Sequence, residues 1–68
     1  MEKALIVDDE FDICILVTKH LKSLGIDAEY SLSVKDALVE IEATRYPLYI
    51  IDLNLTDGTG YDIVERLR

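Results

Sequence analysis

The stretch from Leu48 to Gly58 constrains the chain more than any other. It opens as a continuous apolar run, Leu48-Tyr49-Ile50-Ile51. Such a run predicts a strand buried on both faces, of the kind found inside parallel sheets. A carboxylate, Asp52, then stands near the C-terminal end of the strand, and the chain breaks into a loop at Asp57-Gly58. In open α/β sheets that end of the strands is where ligands bind. An acid on an apolar strand is costly to bury alone, so Asp52 needs partners from elsewhere in the chain.

The remaining segments predict what surrounds it. Ala4-Leu5-Ile6-Val7 reads as a short buried parallel strand whose tip carries Asp8-Asp9-Glu10. A helix is predicted from about Phe11 to Leu24, with Ile13, Leu16, Val17, Leu21 and Leu24 on its apolar face and Gly25 as its C-terminal stop. Ile26 to Tyr30 alternates apolar and polar residues, as a strand at an edge or with one wet face does. Ser33 is a good N-cap for a second helix, with Asp36 three residues on; that helix reaches about Thr44 and buries Val34, Ala37, Leu38 and Ile41. Tyr46-Pro47 breaks it. After the loop, Thr59 can cap a third helix with Tyr61, Ile63, Val64 and Leu67 on its apolar face. Short connections between alternating strands and helices predict an α/β fold, βαβαβα, with right-handed crossovers and a parallel sheet.

Composition narrows the partners. The 68 residues suffice for one small domain, with 14 acids against 7 bases and a net charge of −7. That balance argues against nucleic acid, whose phosphates need bases, and suits a cation. The opening Met1-Glu2-Lys3 leads into an apolar run too short for a signal peptide or a membrane span, so a cytoplasmic location is expected. Cys14 in its helical pattern reads as a small buried hydrophobe, and His20 as a surface residue near a helix C-terminus. The tyrosines 30, 46, 49 and 61 read as amphipathic packing residues, with Tyr49 a candidate for a partner interface.

If the first and third strands are neighbours, their tips bring Asp8, Asp9 and Asp52 together. Converging carboxylates repel one another unless a cation relieves the repulsion. A hard divalent ion is the natural solution, and Mg²⁺ commonly takes one or two carboxylates, several waters and a phosphate. The loop after Asp52 can add a backbone carbonyl, most plausibly that of Asn54. One acid of the Asp8-Asp9 pair can serve as a helix cap, which leaves the other unexplained. Asp57, beside Gly58, reads as a turn residue. No Cys/His metal set, glycine-rich phosphate loop, general base or Ser/His/Asp arrangement accompanies them, so an enzyme with its own substrate is not expected.

The segment Ile6 to Glu10, IVDDE, and the segment Ile50 to Gly58, IIDLNLTDG, resemble the receiver domain of two-component response regulators. The order and spacing of the acids fit as well. The resemblance implies a flavodoxin-like parallel sheet with strand order 2-1-3 and three helices. It implies that Asp52 is the phospho-acceptor, attacking the phosphohistidine of a partner histidine kinase. It implies an Mg²⁺ site served by Asp9 directly and by Asp8 directly or through water, with Asp52 and the Asn54 carbonyl completing the set.

The resemblance covers the whole chain but about half of a complete receiver, which has five strands in the order 2-1-3-4-5. Residues 1–68 therefore read as a truncated receiver domain. The family's Ser or Thr at the fourth strand tip and its Lys at the fifth are absent, and neither Lys3, Lys19, Lys22 nor Lys35 replaces that Lys by position. Weakened or lost metal binding and impaired phosphotransfer are expected. Thr56 stands where the family commonly has Pro, and a slightly looser loop is expected there. The order 2-1-3 leaves the 48–53 strand at an edge although its sequence suits the middle of a sheet. An apolar, uncharged edge invites pairing with another chain, so a homodimer or higher oligomer through this strand is expected. The competing expectation is a purely structural half-domain that self-associates there, its acidic pocket a relic.

Overall fold

The computed structural model describes residues 2–68. Its elements in chain order are β1 (Glu2–Val7), α1 (Phe11–Ser23), β2 (Ile26–Ser31), α2 (Val34–Ala43), β3 (Leu48–Ile51), β4 (Asn54–Leu55), β5 (Gly58–Thr59) and α3 (Gly60–Leu67). The main sheet is parallel with strand order β2-β1-β3, as expected. β1 starts two residues before its apolar run because Glu2 and Lys3 pair with Ile26 and Asp27. β4 and β5 form a small antiparallel hairpin where a loop is expected, with Leu55 opposite Gly58 across the turn Thr56-Asp57.

The side chains of β1 alternate between two cores, as the pleat requires. Leu5 and Val7 join Val34, Ala37, Tyr46, Leu55 and Ile63 under α2 and α3. Ala4 and Ile6 join Cys14 and Leu21 under α1, flanked by Val17, Ile26 and Ala28. The stripe of α1 that faces the sheet is therefore Cys14, Val17 and Leu21, whereas Ile13, Leu16 and Leu24 are exposed. Helical spacing alone admits either stripe, and the position of the sheet selects the one with the smaller residue at Cys14. On α3 only Ile63 of the expected apolar face is buried; Tyr61, Val64 and Leu67 remain exposed.

The helix ends follow their local chemistry. Gly25 takes the left-handed conformation (φ 81°) just after α1, and its N–H donates to the Lys22 carbonyl at 3.0 Å. Ser33 Oγ accepts from the Asp36 N–H at 3.0 Å at the start of α2. At the start of α3 the Thr59 N–H donates to Asp62 Oδ2 at 3.2 Å. An ion pair between Arg66 and Glu42, with Nε to Oε1 at 2.6 Å, ties α3 to α2; both partners are well exposed, so its contribution is small.

Candidate functional site

The site lies at the C-terminal tips of β1 and β3. The ladder continues past both strands, with the Asp52 N–H donating to the Val7 carbonyl at 2.8 Å and the Asp8 N–H donating to the Ser31 carbonyl at 3.2 Å. These bonds hold Asp8 and Asp52 on adjacent tips. Asp8, Asp9 and Asp52 each present a carboxylate oxygen, and these oxygens all lie within 4.8 Å of one another. The three acids singled out from the sequence are thus brought together.

Each is oriented locally. Asp8 Oδ1 accepts from the Glu10 N–H at 2.9 Å, closing the turn that leads into α1. Asp52 Oδ1 accepts from the Asn54 N–H at 3.2 Å, which sets the path of the chain into the hairpin. Asp9 Oδ2 accepts from the Thr56 hydroxyl at 2.6 Å. The expectation that Thr56 loosens its loop is therefore corrected: the hydroxyl ties the turn to the acidic cluster. Gly60 explains how α3 comes so close. Its N–H donates to the Leu53 carbonyl at 3.1 Å. A Cβ there would overlap the Asp52 carbonyl oxygen and lie 2.8 Å from Ile51 Cγ2.

Asp57 does more than make a turn. Its Oδ1 accepts from the Val34 N–H at 2.8 Å and its Oδ2 from the Lys35 N–H at 3.1 Å. These donors are otherwise unpaired at a helix start, and they hold the Asp57 carboxyl below the usual carboxylate range. Asp57 thereby caps α2 from 23 residues away. No local sequence signal marks such a contact; an acid next to a turn glycine is ordinarily just a turn residue.

Cys14, His20, Tyr46 and Tyr49 lie outside the cluster of three acids. Cys14 is fully buried, and its thiol donates to the Asp8 carbonyl at 3.4 Å. Burial first, and then the nearby Asp8 charge, push the thiol pKa up, which leaves it inert. His20 is exposed in the last turn of α1. Tyr46 is a core residue whose hydroxyl donates to Glu40; burial, reinforced by that bond, raises its pKa. Tyr49 packs edge-on against Tyr46, with ring centroids 5.9 Å apart, so its ring finds an internal partner.

The donor set suits a hard cation, since it is all oxygen. Ligands about 2.1 Å from Mg²⁺ stand about 3 Å apart when adjacent on an octahedron and about 4.2 Å apart when opposite. Oxygens within 4.8 Å of one another are of that order of separation. No helix among the described residues is long and apolar enough to cross a membrane.

Comparison with known proteins gives one answer. The family model for the response regulator receiver domain matches residues 4–68. The chain is 36% identical over 67 residues to the response regulator protein PilR of Pseudomonas aeruginosa, covering 98% of this chain and 15% of PilR. Among solved structures, a CheY-like receiver domain from Methylobacillus flagellatus superposes with a TM-score of 0.95 at 37% identity, covering all of this chain and 58% of that one. The response regulator TrrA of Thermotoga maritima, solved with Mg²⁺ and BeF, superposes with a TM-score of 0.95 at 26% identity over 100% of this chain and 59% of TrrA. TrrA has also been solved in complex with the histidine kinase ThkA, with a TM-score of 0.92 against this chain. The chain thus spans less than two thirds of these relatives, and over that span it belongs to the response regulator receiver domain family.

Proposed function

We propose that this chain is a two-component signalling module that accepts a phosphoryl group at Asp52 from a histidine kinase in the cytoplasm. The observation that carries the reading is the convergence of the Asp8, Asp9 and Asp52 carboxylates at adjacent strand tips. Family membership supports it, as do the Mg²⁺ and the kinase seen with TrrA. A carboxylate oxygen of Asp52 forms the new O–P bond as the N–P bond of the phosphohistidine breaks. The histidine nitrogen keeps the electron pair and takes up a proton. Asp8, Asp9, Asp52 and the backbone carbonyl of Asn54 would hold Mg²⁺. When bound, the ion would neutralise charge on the phosphoryl oxygens. The Asn54 N–H keeps one Asp52 oxygen fixed, which leaves the other free to attack.

On this reading the chain is a signalling module rather than an enzyme with a substrate of its own. The test is incubation with a small phosphodonor and Mg²⁺, read by intact mass. Addition of one phosphoryl group, absent in Asp52→Asn, supports the reading. A phosphoryl group retained in Asp52→Asn overturns it.

A second reading has its own observation. Among the described residues the outer edge of β3 pairs with no strand, and Leu48 and Ile50 of that strand are exposed. We propose that a second copy of the chain pairs across this edge, whether or not the acidic site is active. A monomeric mass by light scattering at tens of micromolar counts against it.

A further inference from the structure

The turn Thr56-Asp57 grips two separate parts of the molecule. On one side the Thr56 hydroxyl donates to Asp9 Oδ2 at 2.6 Å, across 47 residues of sequence. On the other, both Asp57 carboxylate oxygens accept from the first N–H groups of α2. Leu55, buried at the base of the hairpin in the core under α2 and α3, fixes the root of the turn. Thr56 is therefore an exposed residue on an anchored turn, and among the described residues its side-chain hydrogen bond runs to an acid of the proposed metal site.

We propose that Thr56 is a positioning residue for the cation site, orienting the Asp9 carboxylate toward Asp8 and Asp52. This inference rests on the metal-site reading above. Its physical basis is the Asp9 side chain itself. An aspartate at a strand tip, repelled by two neighbouring acids, is drawn to rotate outward into water. A hydroxyl donor on Oδ2 opposes that rotation and leaves Oδ1, with both its lone pairs, for a ligand. Partners that orient a ligating side chain in this way commonly change metal affinity 10- to 100-fold when removed.

The experiment is an Mn²⁺ titration of the 68-residue chain, following the free-ion signal by electron paramagnetic resonance. Parent, Thr56→Val, Thr56→Ser and Asp9→Asn are compared, and a thermal melt without metal checks that each folds. Thr56→Val is expected to weaken Mn²⁺ binding about tenfold, and Thr56→Ser to restore it to within about twofold of the parent. Rescue by serine separates the hydroxyl from the shape of the side chain. If the parent binds and Asp9→Asn loses binding, but Thr56→Val binds as the parent does, the Thr56 assignment is overturned and the metal site stands. If the parent itself binds no Mn²⁺, both fall together.

Discussion

β1 and β3 are near twins in composition and opposites in environment. Ala4-Leu5-Ile6-Val7 is almost wholly removed from solvent, with Leu5 at 0% and Ile6 at 1% exposure. Leu48-Tyr49-Ile50-Ile51 is apolar apart from the Tyr49 hydroxyl, and Ile50 pairs in register with Ile6, yet Ile50 is 37% exposed. The difference is position. β1 has a strand on each side and helices on both faces, whereas among the described residues β3 pairs with β1 alone. Apolar composition therefore reports what a strand can bury, and neighbours decide what it does bury.

The sharpest way to probe the comparison is truncation on each strand. Leu5→Ala should cost about 3 kcal/mol by chemical denaturation, through lost burial and the cavity left behind. That is a large share of the few kcal/mol available to a domain this small. Ile50→Ala should cost about 1 kcal/mol in dilute solution, since part of the side chain already meets water. If Ile50→Ala proves as costly as Leu5→Ala, and the cost grows with protein concentration, the edge is covered by a second copy and the contrast between the strands vanishes.

Gly60→Ala asks whether β3 is as tightly packed at its tip as β1 is along its length. The added methyl would press on the Asp52 carbonyl and on Ile51 Cγ2. A loss of about 1–3 kcal/mol is expected, together with a displaced Asp52 and, on the proposed function, slower phosphorylation. A melt unchanged from the parent would mean that the tip of β3 yields as easily as its open edge.

The smallest effect concerns acid. The hydrogen bonds from Val34 and Lys35 favour ionised Asp57, so its stabilisation is complete above the ordinary carboxylate value of 3.8. It is lost as the pH falls through the lower folded-state value. Asp57→Asn should therefore melt below the parent at neutral pH, and the gap should narrow below pH 3.8. A gap independent of pH would show that the charge on Asp57 contributes nothing to holding the hairpin beside α2.

Legibility followed the range of the interactions. Ser33 as a cap, Gly25 as a stop and the apolar runs of β1 and β3 are local signals that appear in the structure, although β3 ends at Ile51 and not at Leu53 as expected, because the chain turns toward the hairpin after Asp52. The β4–β5 hairpin was not legible, because Asn54-Leu55 and Gly58-Thr59 are too short to alternate. Nor were the contacts of Thr56 with Asp9 and Asp57 with α2, which join residues 47 and 23 positions apart. Helical spacing placed Leu16, Val64 and Leu67 on apolar faces, yet each remains exposed in the folded chain.

By itself, the order of residues determined the alternation of strands and helices and set acids at the ends of two apolar runs. Those are consequences of backbone preference and of period, which act over a few neighbouring positions. Only the folded chain decided which apolar residues are dry, how close the three carboxylates lie and what holds them. Such outcomes depend on which elements come to lie side by side, and packing and hydrogen bonding between distant segments leave no mark in either segment alone.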